Sequence, residues 1–351
     1  MLLGLLARLT RVHEARTAEE REAIYRFRYA IYGSELRRDY PGIDHEKGRL
    51  HQPEDDRPET RLWYAGSPRE VTGTARARVW DRAPDEIVAE LSLQRMPKVK
   101  VAYLERTMVR PTRRGRALMP AIIWHGYEML ARENVEACVL TCVPGLARHY
   151  LRFGARTYGA PLVEGASSAE VPLMILMNDV EHLRRVGSFM APQLRKHARP
   201  FDAAPFQPLF DGPQPLCFDR TSILRELTEA RPPVFEGVRL EGIARQSFIL
   251  EIPAGGLVVR KGTADREMYL VLSGALEVED SKARIGLGET MGEVALLGTP
   301  GIRTATVRAT ERSRLLVLRR RFLDDLDVRT AHRVTRNLAR VVADRFRQRV
   351  G

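Results

Sequence analysis

The sequence predicts two mixed α+β domains in tandem. Helices and a mixed sheet are expected over residues 1–184, and a strand-rich domain with flanking helices over residues 231–351. Three observations predict this. From Ala18 to Met177 the apolar pattern switches between the 3.6-residue period of helices and the two-residue period of strands. From Arg185 to Arg231 six prolines (Pro192, Pro200, Pro205, Pro208, Pro213 and Pro215) exclude long regular structure, so residues 185–230 read as a linker. Beyond it lies a turn-rich, Gly-containing cassette at Met291–Val307, followed by basic amphipathic helices from Arg321 to Arg349.

Composition sets the bounds. A chain of 351 residues with 44% hydrophobic content has length for two or three domains and apolar side chains for their cores. No apolar run reaches the roughly 18–20 residues of a membrane span. Met1–Leu9 is too short to span, and reads as a short helix on the domain, with a membrane-surface foot as the minority reading. Cys138, Cys142 and Cys217 make no disulfide framework, so reduced thiols in a cytoplasmic protein are expected. The net charge of +12 suggests anionic partners, although a solvated basic surface explains it equally well.

The N-terminal elements follow in order. Thr17 reads as a helix cap with Glu19 and Glu20 in the first turn, and Ile24, Phe27 and Ile31 mark one buried face up to about Tyr32. Residues 33–60 form a polar segment, long for a loop. His45, His51, Asp55 and Asp56 within it have no recognised metal spacing, so no metal is expected. Arg61–Ala65 and Val71–Val79 alternate as a hairpin through Gly66 and Pro68, and Val101–Val109 is a third strand. An Arg-rich turn then opens an apolar helix, from about Arg116 to Glu133. Backbone donors at that helix start, beside Arg113, Arg114 and Arg116, would make an anion site. Ala137–Thr141, Pro144–Phe153 and Val171–Met177 complete the domain as strand, helix and strand. In the linker, Phe201, Phe206, Leu209 and Phe210 are too apolar for a free tether, and Thr221–Glu229 reads as a short helix.

The cassette holds the groups an anionic sugar phosphate needs. Gly292 lets backbone come close to a ligand. Glu293 is a fixed acceptor for ribose hydroxyls, and Ala295, Leu296 and Leu297 read as one buried helical turn. Gly298–Gly301 break that turn, and Arg303 brings a donor fork that fits a phosphate bidentately. Thr304 adds a hydroxyl, and Thr304–Val307 reads as a strand.

This stretch resembles the phosphate-binding cassette of cyclic nucleotide-binding domains, with Gly292, Glu293, Arg303, Thr304 and Ala305 at the matching positions. Phe235–Val238, Ile252–Gly256, Lys261–Gly262 and Met268–Gly274 extend the resemblance from about Arg231 to Gly351. It implies a β-roll (jelly roll) that binds cyclic AMP or cyclic GMP, with helices closing over the base. The alternative is a roll that has kept its fold and lost its ligand, against which both Glu293 and Arg303 stand.

The N-terminal order, from about Val12 to Asp179, resembles the GNAT superfamily of N-acyltransferases. Thr112–Ala117 stands where that superfamily has its acyl-CoA loop, with Thr112 in place of an Arg or Gln, and Tyr150 precedes Gly154 by four residues as in its Tyr-x-x-x-Gly pattern. The first third looks most like the autoinducer-synthase and N-acyl amino acid synthase branch, on Tyr25–Tyr29, Tyr32, Glu35, Asp55, Asp56 and Gly73–Arg76. The branch often has an acid three residues before the strand Arg, whereas Arg106 has Tyr103 there and Glu105 beside it.

The resemblance implies an acyl-CoA or acyl carrier protein donor and an amine acceptor, either a small amino compound or a protein lysine. Acyl transfer needs a neutral amine, oxyanion donors and a proton for the departing thiolate. Glu105 is the candidate base, or else a strand carboxylate paired with Arg106 or Arg76. Tyr150 is the candidate acid, or else a core tyrosine. Backbone N–H groups at Met108 and Val109 would polarise the thioester, and Arg113, Arg114, Gly115, Arg116 and Ala117 would hold the pyrophosphate. Arg28, Asp55 and Asp56 are weaker candidates for acceptor recognition. The expected protein is a cyclic nucleotide-regulated N-acyltransferase, with an acyl carrier protein or a second copy of the chain as further partners. The rival is a non-catalytic acyl-CoA and nucleotide sensor. No DNA partner is expected, since the closing helices run to Gly351.

Overall fold

The computed structural model describes residues 10–113, 117–194, 199–293, 296 and 301–350. By internal contacts the chain divides into two units. One holds Met1–Cys142, Leu146–Val163 and Val171–Pro213, and the other Val143–Gly145, Glu164–Glu170 and Gln214–Gly351.

The N-terminal unit is built on an eight-stranded mixed sheet. Its first strand, β1 (Val12–Glu14), leads into helix α1 (Ala18–Arg28). Thr17 and Glu20 form a reciprocal cap there: the Glu20 N–H donates to the Thr17 hydroxyl at 3.2 Å, and the Thr17 N–H to the Glu20 carboxylate at 2.9 Å. Where one long helix is expected, Tyr29–Glu35 continue as π-helical turns, with the Leu36 N–H reaching the Ile31 carbonyl. The long polar segment is ordered by the small hairpin β2 (Ile43–Asp44) and β3 (Arg49–Leu50) and by a 3₁₀ turn at Pro53–Asp56.

Strands β4 (Thr60–Ser67), β5 (Glu70–Trp80) and β6 (Val101–Val109) follow antiparallel to one another. Helix α2 (Leu118–Arg132) then crosses over to β7 (Ala137–Cys142), which runs parallel to β6. Helix α3 (Pro144–Phe153) and strands β8 (Arg156–Thr157), β9 (Val163–Glu164) and β10 (Ala169–Leu176) complete the sheet, in the order β1-β4-β5-β6-β7-β10-β8 with β9 beside β10.

Two glycines let α2 lie close on the sheet. A Cβ on Gly73 would stand 2.4 Å from the Ile122 side chain, and one on Gly126 would stand 2.5 Å from the Trp63 ring. The Trp63 indole N–H donates to the Ile122 carbonyl at 3.0 Å. Helix α2 is thereby anchored with its first turn beyond the end of β6.

The second unit carries two separate sheets. One runs β11 (Leu216–Cys217), β12 (Phe248–Ile252), β21 (Ser313–Arg319), β15 (Glu267–Ser273) and β18 (Thr290–Met291). The other runs β13 (Leu257–Val259), β20 (Val307–Ala309), β16 (Leu276–Val278) and β17 (Arg284–Ile285). Strands β14 (Ala264–Asp265) and β19 (Gly301–Ile302) pair alone. Among the described residues these sheets do not close into one barrel by hydrogen bonding, so the expected jelly roll is observed as open sheets. Its helices α4 (Arg220–Ala230), α5 (Leu240–Gln246) and α6 (Val328–Val350) cover one face of the larger sheet. Ile223, Leu227, Ile243, Val334 and Leu338 from them join Ile249, Met268, Leu270, Leu316 and Leu318 in one core.

The expected strand at Thr304–Val307 is shorter than read, because only Val307 belongs to β20. Residues 304–306 lie where the chain changes partners. The Arg303 N–H bonds to the Thr263 carbonyl, whereas the Thr306 carbonyl accepts from the Glu279 N–H. Met1–Leu9 and the helical turn expected at Ala295–Leu297, apart from Leu296, lie outside the described residues. Among the described residues, no helix is long and apolar enough to cross a membrane.

Candidate functional site

The N-terminal site forms where β6 changes neighbours. Strands β6 and β7 pair from Val101 opposite Ala137 to Leu104 opposite Leu140, and no further. Just beyond, β6 bulges against β5: Thr74 faces Met108 and Arg76 faces Glu105, so Ala75 stands against both Arg106 and Thr107. Arg106 takes the strain of that bulge at φ +51°. Past the bulge the Arg110 N–H donates to the Thr72 carbonyl of β5 at 2.8 Å. N–H directions alternate along a strand, so Met108 points its N–H toward β5 and Val109 points its own to the side that β7 has left. Of the two expected oxyanion donors, Val109 has the freer orientation.

A chain of charges is buried beside this bulge. Arg28 on α1, Asp55 in the 3₁₀ turn and Arg76 on β5 are all almost wholly buried. Asp55 Oδ1 accepts from Arg28 Nη1 at 2.8 Å and from Arg76 Nη1 at 3.1 Å, and its Oδ2 accepts the Gln52 backbone N–H at 2.9 Å. Arg76 Nη2 continues to Glu105 Oε1 at 3.2 Å, and Arg78 Nε reaches Glu105 Oε2 at 2.8 Å. The Arg106 guanidinium lies 4.2 Å from the Tyr40 ring centre and 5.8 Å from that of Tyr32, and its Nε donates to Gln52 Oε1 at 2.9 Å. Asp56, by contrast, is exposed and pairs with His51 at 2.8 Å.

These contacts fix protonation. Burial works against the charge on Glu105, but Arg76, Arg78 and Arg106 outweigh it and hold the carboxyl below its ordinary range. Asp55 behaves the same way, with Arg28 and Arg76 overcoming its burial. A carboxylate held so firmly is a weak base, and its immediate effect is to orient guanidinium groups. Tyr150, on α3, is buried with its ring edge-on to Phe153, and burial pushes its phenol well above the usual tyrosine value. It therefore stays protonated at neutral pH, the form that can donate a proton or hydrogen bond.

Of the anion-binding turn, the backbone at Pro111–Arg113 forms a 3₁₀ turn and Ala117 caps α2, accepting the Ala121 N–H at 2.9 Å. Arg114, Gly115 and Arg116 lie outside the described residues. Among the described residues no group of three His, Cys, Asp or Glu side chains is placed to hold a metal ion.

In the second unit, two short strand pairs position the nucleotide cassette. Met291 on β18 faces Tyr269 on β15, and Gly301 on β19 faces Asp265 on β14. Gly292 follows at φ +78°, and a Cβ there would stand 2.0 Å from Arg303 Nη1, so only glycine fits. The close neighbour that the glycine admits is thus the arginine. Arg303 is buried, donates through Nη2 to the Glu267 carbonyl at 2.6 Å, and holds Nε 3.7 Å from the Asp265 carboxylate. The Tyr269 ring lies under its guanidinium at 5.9 Å. Glu293, 7% exposed, accepts the Thr290 hydroxyl at 2.7 Å and also takes Arg345 from α6. Thr304 is exposed and Ala305 half-buried.

Sequence reasoning did not single out Arg78, Gln52, Asp265, Glu267 or Arg345. A signal existed for Arg78: Arg76 and Arg78 alternate along a strand, so both point to one face. No such signal existed for Arg345, one basic residue among many on an exposed helix.

Comparison with known proteins agrees with both halves. Residues 23–177 match the family described as N-acyl amino acid synthase FeeM, and residues 249–328 match the cyclic nucleotide-binding domain. The chain joins a FeeM/BjaI-like domain to a cyclic nucleotide-binding domain. A protein of Rhodopseudomonas palustris described as a potassium channel is 36% identical over 98 residues, which are 25% of this chain and 24% of that one. The chain thus spans about a quarter of the length of this curated relative. Among solved structures, the CoA-dependent acyl-homoserine lactone synthase BjaI, with SAM and isopentyl-CoA, is 14% identical, covering 53% of this chain and 99% of that one at a TM-score of 0.42. A cyclic nucleotide-binding domain from Methylobacillus flagellatus is 20% identical, covering 37% of this chain and 80% of that one at a TM-score of 0.32.

Proposed function

We propose that this chain is a cyclic nucleotide-regulated N-acyltransferase. Residues 1–184 move an acyl group from coenzyme A or an acyl carrier protein to an amine, residues 185–230 connect, and residues 231–351 sense the nucleotide. The observation that carries the first part is the buried run Arg28–Asp55–Arg76–Glu105–Arg78 at the place where β6 leaves β7. Three guanidiniums against two carboxylates leave a net positive charge there. That suits an acceptor carrying a carboxylate, such as an amino acid, over a plain protein lysine. The description of the FeeM family, an N-acyl amino acid synthase, points the same way.

In this reading the thioester carbonyl lies against the Val109 N–H, and coenzyme A phosphates take the turn of Arg113, Arg114, Gly115, Arg116 and Ala117. Tyr150 protonates the departing thiolate. Glu105 and Asp55 hold the arginines that orient the acceptor, and the amine proton leaves through water, to Glu105 only if an arginine shifts. Cyclic AMP, or cyclic GMP with Thr304 facing the base, binds through Arg303 at the phosphate and Glu293 at the ribose.

One observation favours a second reading. Glu105 is so fully held by Arg76 and Arg78 that the scaffold may lack a base and merely bind acyl-CoA as a sensor. Thiol release from short- and long-chain coenzyme A thioesters, with an amino acid pool and with or without cyclic AMP, separates the two. Release that depends on amine and changes with nucleotide is expected. Acyl-CoA binding without release would establish the sensor.

A further inference from the structure

The contact of Glu293 with α6 has a regulatory reading, which rests on the nucleotide site proposed above. Glu293 Oε1 already accepts the Thr290 hydroxyl at 2.7 Å and is bonded to Arg345 Nη1. Arg345 Nη2 in turn donates to the Thr290 carbonyl at 2.5 Å. One guanidinium fork therefore spans the carboxylate and the backbone three residues before it. A ribose hydroxyl binding through Glu293 must donate to the group that Arg345 occupies.

The rest of α6 is held differently. Its first half is fixed by Val334 and Leu338 in the core, by Asn337 Nδ2 donating to the Val234 and Glu236 carbonyls at 3.2 and 3.0 Å, and by Arg333 donating to the Gly237 carbonyl at 2.6 Å. Beyond Arg340, Arg345 is the one described side chain that hydrogen-bonds to another element. Val341 and Val342 are half-buried there, and Phe346 is 68% exposed. The last turns of α6 are attached through Arg345 to the residue the ligand needs.

We propose that Arg345 is an internal competitor for Glu293. Seated, it holds the end of α6 against the cassette and weakens nucleotide binding. Nucleotide that takes Glu293 releases Arg345 and the turns from about Val341 onward. Ligand and helix end then exclude each other, which is the differential affinity a switch requires.

The test uses the full-length chain and two measurements. Calorimetric titration with cyclic AMP compares wild type, Arg345→Gln and Glu293→Gln. Loss of one charge-assisted hydrogen-bonded contact, partly exposed, is worth roughly tenfold in an equilibrium constant. Arg345→Gln should therefore bind about tenfold more tightly than wild type, and Glu293→Gln more weakly. Amide hydrogen exchange follows residues 341–347: cyclic AMP should speed exchange there in wild type, and Arg345→Gln should exchange fast without ligand. Equal or weaker binding by Arg345→Gln, or protection of these amides by cyclic AMP, overturns the competition while leaving the nucleotide site standing. No binding of cyclic AMP or cyclic GMP by either wild type or Arg345→Gln overturns the site and the competition together.

Discussion

Replacing Asp55 by Asn tests whether the buried charge chain is an energetic unit. The substitution keeps the shape and removes the one charge shared by Arg28 and Arg76, which it meets at 2.8 and 3.1 Å. Arg76 keeps Glu105 at 3.2 Å, but Arg28 has no second carboxylate among the described residues. Breaking a buried pair by removing one partner costs about 3–5 kcal/mol, because a charge is left without compensation. With Glu105 still serving Arg76, the lower figure of about 3 kcal/mol applies. At a urea slope of about 2 kcal/mol per molar, the midpoint should fall by about 1.5 M. All three tryptophans, Trp63, Trp80 and Trp124, lie in the first unit, so intrinsic fluorescence reports that unit within the full-length chain. A shift below about 0.5 M, roughly 1 kcal/mol by the same slope, would refute the reasoning and mean that Arg28 finds other compensation. Adding Arg28→Met should restore part of the loss, since it removes the stranded charge.

Three further outcomes follow from the geometry. Both Asp55 and Glu105 have folded-state values below the ordinary carboxylate range, so their stabilisation is present above that range and disappears as acid brings the pH down through the lowered values. The fluorescence-detected midpoint of the first unit should accordingly fall steeply below about pH 4, and less steeply in Asp55→Asn. Tyr150→Phe should cut amine-dependent thiol release by about 10²-fold or more while acyl-CoA binding persists; unchanged release would remove Tyr150 from the proton path. Gly292→Ala places a methyl 2.0 Å from Arg303 Nη1 at a φ of +78°, so cyclic AMP affinity should drop at least about tenfold in calorimetry, and wild-type affinity would show that Arg303 does not hold the phosphate.

The sequence shows most where one local rule decides. The Thr17–Glu20 cap, the alternation of β5 and the Gly- and Pro-bounded α3 all follow from neighbours in the chain. What it conceals depends on distant partners. Strand β1 has three residues, too few to show a period, and exists because Val12 pairs with Ala65. The π-helical turns at Tyr29–Glu35 share the apolar pattern of an ordinary helix. Asp55 sits in a polar stretch that reads as solvated, yet it is fully buried because Arg28 and Arg76, on apolar elements, require a counter-charge. The nucleotide cassette was legible as Gly292, Glu293 and Arg303 because their chemistry is compressed into a dozen residues. That Glu293 is also tied to Arg345, 52 residues later, is not visible in any local pattern.

Strand β15 gives the nucleotide pocket an unusual freedom. It is buried from Glu267 to Leu272, and it carries both ends of the cassette. Tyr269 and Leu270 pair with Met291 and Thr290, and the Glu267 carbonyl holds Arg303. The spacing between the two charged groups is thus gauged by one rigid strand, rather than by the run of residues 294–300 that joins them in sequence. That run can lengthen, shorten or change composition over evolutionary time, and a designer can splice into it, with Glu293 and Arg303 each still registered against β15.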